Sequence, residues 1–436
     1  MVIQSVIELE RIQKKMENEV SYVAPIFMDQ HLHPAVNTLS SLHVLFTDGE
    51  YVCIPVNHPD GIPMTIDVTN AKQLVTLYKR EILHAYPKVN PAIVDDVASI
   101  LQLSQDTIPE IREYYTPIIQ RTLQQFQFKN LHLSIPLVVW MNYAHKLLQF
   151  VQEKYTAVHP AGYDFVNNVV ISTLTTIEKS GLHIDLPVFQ EHFNESSRYV
   201  KHWMMHTEYN PYTATGRPSN KYGGINFAAL NKHDGSRGAF NSRFGADGIL
   251  IQFDYEAFHP RLVANKIGYT LPTSSVHTYL AEQYYNTTNI TPEQYETSKQ
   301  RTFAVMYGVH EDMGNVEFFH KVRQYTTQLW DVYQKSGFVT SDSGKKIIVA
   351  APSPNKVFNY MVQWMETETA LSRVHTVCDL LRDSLTKPIL YTYDALLLDV
   401  HRSEVALLPR IRHLLEKGGY PTRMYKGETY NQLISM

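Results

Sequence analysis

Two aspartates at the ends of apolar stretches carry the clearest chemical signal. In GILIQFDYEAFHPRL (248–262), Asp254 follows a run of largely apolar residues, and in PILYTYDALLLDV (388–400), Asp394 lies near a tight turn between two such runs. A carboxylate at the tip of a buried strand is costly unless a basic side chain or a metal ion compensates it. Aspartate is also a common turn former, so either residue alone fits a structural role. Two strand-end carboxylates on one sheet are what a pair of divalent ions about 4 Å apart requires for phosphoryl transfer. Between them lies TPEQYETSKQRTFAVMYG (291–308), in which Lys299, Phe303 and Tyr307 recur every fourth residue and so share one helix face. A cation and two rings on one face could neutralise phosphates and stack a base. The same spacing also fits an ordinary amphipathic helix with a snorkelling lysine.

These groups need elements to hold them. The 291–308 helix is predicted to start with Thr291 as N-cap, Pro292 in the first turn and Gln294 in the capping-box position, and to end at Gly308. GILIQFDY and PILYTYDALLLDV read as strands separated by a long helical region, which suggests an α+β domain with an antiparallel sheet. Upstream, LHVLFTDGEYVCIPV reads as a hairpin turning at Asp48-Gly49. TNAKQLVTLYKREILHAY follows as an amphipathic helix capped by Thr69 or Asn70. Residues 135 to 206 are largely helical by periodicity, with breaks at HPAGYD and SGLHIDLP, and 207 to 245 read as ordered loop or short strands.

The bulk properties set bounds. With 436 residues, 44% hydrophobic and 19% charged, the chain is an ordinary globular one with room for two or three domains. It has no apolar run of about 18 residues, so no membrane partner or span is expected, and its opening MVIQSVIELERIQKKMENEV reads as a charged helix and not a signal peptide. Two cysteines, Cys53 and Cys378, suit a reducing, cytoplasmic compartment. The net charge of −4 does not announce a nucleic-acid binder, but Lys201 to Arg243 holds six Lys or Arg against two acids.

Four motifs stand in the order found in family A DNA polymerases: TATGR (213–217), DYEAFHPR (254–261), KQRTFAVMYG (299–308) and YDALLLDV (393–400). They resemble that family's template-contacting segment and its motifs A, B and C. Weaker similarities are RGAF (237–240), SSVHTYLAEQYY (274–285), NYMVQ (359–363), KGETY (426–430) and, upstream, STLTTIEKSGLHIDLPVF (172–189). The resemblance covers roughly residues 172 to 436. It implies a right-hand polymerase fold, α+β, with an antiparallel palm sheet, helical fingers and a reduced thumb. It is of the bacterial DNA polymerase I type, and the compact chain suggests a phage enzyme, which would work in the host cytoplasm.

Residue by residue, the resemblance implies that Asp254 and Asp394, with the Tyr255 carbonyl, hold two Mg²⁺ ions, Mn²⁺ being a substitute. Lys299 neutralises the phosphates and acts as general acid toward pyrophosphate. Phe303 packs on the incoming dNTP, Tyr307 lies near the template position, His277 touches the triphosphate and His259 stands where the sugar 2′ position is screened. Arg217, Arg261, Asn359 and Gln363 match residues facing the primer-template. The chain departs from the family at Tyr295, where an arginine for the terminal phosphate is usual; at His259, where a glutamate is; and at Ala395, where a second motif C acid is.

PIFMDQHLHP followed by HVLFTDGEYVCIPVNHPDG is similar to the opening strands of the family's 3′–5′ exonuclease domain, which needs an Asp-x-Glu pair. This chain has Asp29-Gln30-His31, so a degenerate, structural domain is expected, without proofreading. The expected organisation is an α/β exonuclease-like domain over 1–130, a helical connector and truncated thumb over 131–212, and palm and fingers over 213–436, with the fingers at about 266–335. Only residues 190 to 212 are available for a thumb, which implies low processivity alone and a processivity or replisome partner. Two alternatives stand beside the polymerase: a non-catalytic polymerase-like subunit that binds nucleic acid, and a single-subunit RNA polymerase-like enzyme.

Overall fold

The structure, a computed structural model, describes residues 1–29, 32–104, 135–193, 199–220, 225–308 and 315–436. Gln30, His31, Lys221 and the expected boundary at 130/131 lie outside the described residues. The chain folds into two compact units, Met1–Tyr212 with Asn220–Ile225, and Thr213–Ser219 with Asn226–Met436.

The first unit is built on a five-stranded sheet in the order β3-β2-β1-β4-β5. Helix α1 (Val6–Asn18) leads into β1 (Val20–Phe27), β2 (Leu39–Phe46) and β3 (Tyr51–Pro55), all antiparallel neighbours; β4 (Gln73–Thr76) and β5 (Val94–Asp96) then run parallel to β1. The hairpin turn falls where expected, with Gly49 at φ +87°. The stretch 69–86 differs from its expected single helix. Gln73–Thr76 is a buried strand, and the helix α2 (Lys79–Ala85) starts only afterwards. Leu74 and Val75 are apolar enough to be covered on both sheet faces, and this tertiary burial overrides helical periodicity.

Alternation along β1 feeds two cores. Val23 faces a layer with Ile12 and Met16 of α1, whereas Tyr22, Ala24 and Ile26 face Trp140, Ala144, Leu148 and Val151 of a long helix. That helix, α4 (Leu137–Lys154), follows α3 (Val97–Leu103). The unit closes with α5 (Ser172–Ser180), continuous with a π-helical turn over Phe165–Ile171, and α6 (Leu186–Phe193). Its last strands are β6 (Leu182–Ile184), β7 (Val200–Lys201) and β8 (Met204–Met205). Within the short 190–212 segment, the described residues thus form a helix end and a β7–β8 hairpin.

The second unit carries most of the residues that the sequence singles out. After β9 (Phe240–Asn241), strand β10 (Gly248–Tyr255) runs to helix α7 (Phe258–Lys266). Helices α8 (Val276–Tyr285), α9 (Pro292–Met306) and α10 (Glu317–Ser336) follow, then a small hairpin β11 (Val339–Thr340) and β12 (Lys346–Ile347). The long helix α11 (Pro354–Leu380) leads to β13 (Lys387–Tyr391) and β14 (Ala395–His401); α12 (Leu408–Glu416), β15 (Thr422–Gly427) and β16 (Ile434–Ser435) complete the unit. The sheet order is β13-β14-β10-β15-β16 and every pairing is antiparallel. Helix α9 forms as its sequence dictates: Thr291 and Gln294 make a reciprocal capping box, and Gly308 sits at φ +75° beyond the end. Cys53 and Cys378 are both buried and unpaired, and burial pushes each thiol up to about 12. Among the described residues no helix is long and apolar enough to cross a membrane.

Candidate active site

Antiparallel pairing of β10 and β14 sets Asp254 opposite Ala395, so Asp394 lies next to it at the turn. The Tyr255 N–H donates to the Asp394 carbonyl at 2.9 Å, which ties the two motifs together. The turn carrying Asp394 is tight: the Asp394 N–H donates to Thr392 O at 2.8 Å, and Tyr393 is held at φ +65°. A non-glycine residue in the left-handed region is costly and often marks a functional constraint. Burial pushes the Asp254 carboxyl up to about 6, with Asp394 reinforcing the shift. Burial, then Glu366, raises Asp394 as well. Neither carboxylate has an ion-pair partner among the described residues. Two neighbouring acids without a paired cation among the described residues, Asp254 half-buried and Asp394 open to a ligand, fit a divalent-metal donor set, and a bound cation would reverse both shifts.

Arg217 is fixed by a two-pronged bond to Glu366 on α11, Nε to Oε2 at 2.6 Å and Nη2 to Oε1 at 2.9 Å, and its guanidinium lies 4.3 Å from the Tyr393 ring centre. His259 donates from Nε2 to Glu366 Oε1 at 3.0 Å, and its Nδ1 meets the Tyr307 hydroxyl. Burial alone would raise Glu366, yet its bonds to His259 and Arg217 hold the carboxyl below its ordinary value. Histidine in place of the expected glutamate is therefore answered by a glutamate on another element. Sequence reasoning missed Glu366. The signal was its place one helical repeat beyond Asn359 and Gln363, which share its face and bond to one another at 2.7 Å.

Lys299, Phe303 and Tyr307 do share a face, with Phe303 exposed and its ring 5.9 Å from that of His277 on α8. His277 is buried, and its Nδ1 has no hydrogen-bond partner among the described residues. Burial pushes its imidazole below its ordinary value. Tyr295, at the position lacking an arginine, lies beside Arg423, whose guanidinium is 3.7 Å from Glu256. Arg423 is opposite Asp254 on β15 and was not foreseen, because the neighbour relation exists only across the sheet.

One expected ligand-facing side chain is engaged elsewhere. Arg261 does not face a ligand surface: it is buried, pairs with Glu256 at 2.6 Å and donates to the carbonyls of Pro272 and Ser274. It braces the turn at the start of α7. The Tyr255 side chain stacks 4.2 Å from Phe258 with its hydroxyl donating to Leu415 O at 2.9 Å, which leaves its backbone as the part expected to meet a ligand.

No family's sequence profile matches the chain, and no curated protein matches it in sequence. Solved structures do resemble it. One is the POL domain of Pol1 from M. smegmatis, in a complex with DNA primer-template and dNTP: TM-score 0.75, 14% identity, with 99% of this chain and 99% of that chain covered. The fold is thus the mixed α+β architecture of a polymerase domain.

Proposed function

We propose that the chain is a template-directed DNA polymerase that adds dNTPs to a primer 3′ end. The observation that carries this reading is the pair of carboxylates without an ion-pair partner among the described residues, half-buried Asp254 at a strand end and exposed Asp394 at the turn before the neighbouring strand, in the unit that also presents the Lys299–Phe303–Tyr307 face. Asp254, Asp394 and the Tyr255 carbonyl would hold two divalent ions, Mg²⁺ or Mn²⁺. When bound, these supply Lewis acidity toward the primer hydroxyl and the triphosphate. Lys299 neutralises phosphate oxygens and returns a proton to the leaving pyrophosphate. Arg423 supplies the second cation that Tyr295 cannot. Arg217, Asn359 and Gln363 face the primer-template, and His259, braced between Tyr307 and Glu366, screens the sugar. Low processivity with a protein partner, absence of proofreading, a phage source and a cytoplasmic setting belong to the same reading. It rests there on the short 190–212 segment and on Asp29 being followed by Gln30-His31.

Primer extension on a defined template with Mg²⁺ tests it, comparing dNTPs with rNTPs and the wild type with Asp394→Asn. Templated dNTP addition should fall in the variant by on the order of 10³-fold, the value of about 4 kcal/mol of lost transition-state stabilisation. Efficient rNTP addition would favour the RNA polymerase-like reading and show that His259 does not screen the sugar. Binding to primer-template with no extension under any nucleotide or metal would favour the non-catalytic subunit, for which Ala395 speaks.

A further inference from the structure

A cavity of about 350 Å³ opens in the first unit where the ends of β1 and β4 meet α2 and α4, and none of the residues assigned above lines it. Tyr78, Tyr143, Tyr209 and Tyr212 contribute to its walls, and its charged lining is Arg80 against Glu81, Glu178 and Glu208. One cation facing three carboxylates leaves an excess of two negative charges when all three are ionised.

The three acids are not equivalent. Glu178 is fully served: Arg80 Nε donates to it at 2.6 Å, His84 Nε2 lies at 3.0 Å, and the Tyr209 N–H donates at 2.7 Å. His33 also approaches Glu178, and His33, His84 and Glu178 bring their ligand atoms within 4.8 Å of one another, as a metal set would. The His33 Nδ1, however, accepts the Ala35 N–H at 3.1 Å, which leaves the ring proton on Nε2, 4.0 Å from the carboxylate. The cluster is a carboxylate wrapped in donors, not a metal cage. Glu208 takes the other side of Arg80 at 3.1 Å. The Glu81 carboxyl has no hydrogen-bond partner among the described residues, lines the cavity, and is pushed up to about 7 by burial, with Asp96 and Glu208 adding to the shift against Arg80.

We propose that this cavity binds a small organic cation, an ammonium or guanidinium group that pairs with Glu81 and Glu208 and packs against the tyrosine rings. A half-buried carboxylate without a partner is costly, and a cation placed between two acids and beside aromatic faces removes that cost while gaining cation–π attraction. The head group can belong to a free polyamine or to a lysine or arginine side chain of another protein; the chemistry is the same.

The test is calorimetric titration of the full chain at about 150 mM KCl, a physiological ionic strength, with spermidine and, separately, with acetyl-arginine amide, in the wild type and in Glu81→Gln. Saturable one-to-one binding of either probe, weakened roughly tenfold or more in the variant, supports the proposal. Spermidine binding alone points to a free polyamine, and binding of the arginine derivative alone to a protein side chain. Glu81→Gln removes a charge that has no hydrogen-bond partner, so it is expected to fold, which its melting curve verifies. Glu208→Gln supplies a second variant with the same expected loss. No binding of either probe, binding that Glu81→Gln leaves unchanged, or saturable binding of Mn²⁺ in place of both probes that disappears in Glu81→Gln would overturn the proposal.

Discussion

Asp254 shows how the surroundings of a single residue set its charge. Its carboxyl is pushed up to about 6 in the folded chain against an ordinary value of 3.8. A raised folded pKa means that the native state prefers the protonated form. The metal-free protein therefore loses stability as pH climbs through this window and keeps that loss above it. A rise of this size corresponds to about 3 kcal/mol. Thermal melts in EDTA should show Asp254→Asn more stable than wild type at pH 7 to 8, with the advantage gone near pH 4. Equal stability at both pH values would contradict the burial described here. Arg423 is the other residue on which the site turns. Arg423→Ala should raise the KM for dNTP roughly tenfold with little change in kcat, the loss of one charge-assisted bond to phosphate. A fall in kcat at unchanged KM would instead assign it to the chemical step. Arg423 was not legible in the sequence, because it takes its position from strands that meet only after folding, and Glu366 showed only as a helix-face neighbour of Asn359 and Gln363. Asp254, Asp394 and Lys299 stood out as candidates because each sits on a local pattern, a strand end, a turn or a helix face.

Elements were legible where local signals agreed and illegible where packing overruled them. Helix α9 follows from its capping box, its proline and its terminal glycine, and these need no tertiary help. Residues 73–76 were misread because a short buried strand carries no period of its own to distinguish it from a helix turn. Gly216 illustrates an element held by a single missing atom. It sits at φ +74°, and a Cβ there would lie 1.7 Å from the Trp364 ring on α11. Gly216→Ala should cost about 3 kcal/mol or more, from strain and overlap together. It should also separate Arg217 from Glu366, so primer-template affinity falls along with the melting temperature. A variant with an unchanged melting temperature would mean that the TATGR turn is less tightly docked on α11 than described.

At the scale of the molecule, the chain forms two compact units, the first running to Tyr212 and the second taken up from Thr213. Little chain is available between α6 and Thr213 to grip a duplex. In a single-encounter extension assay with a heparin trap, the isolated chain should add only a few nucleotides before dissociating. Products of hundreds of nucleotides under the trap would show that no partner is needed. Added salt should depress binding steeply, since phosphate contacts release counterions.

The two cysteines have a practical consequence. Thiol chemistry proceeds through the thiolate, and neither Cys53 nor Cys378 is accessible or ionised near neutral pH. The native chain is in effect blank to maleimide dyes. One cysteine introduced on an exposed turn of α9 could then carry a fluorophore with no background, and movement of that helix on nucleotide binding could be followed without first removing any natural residue.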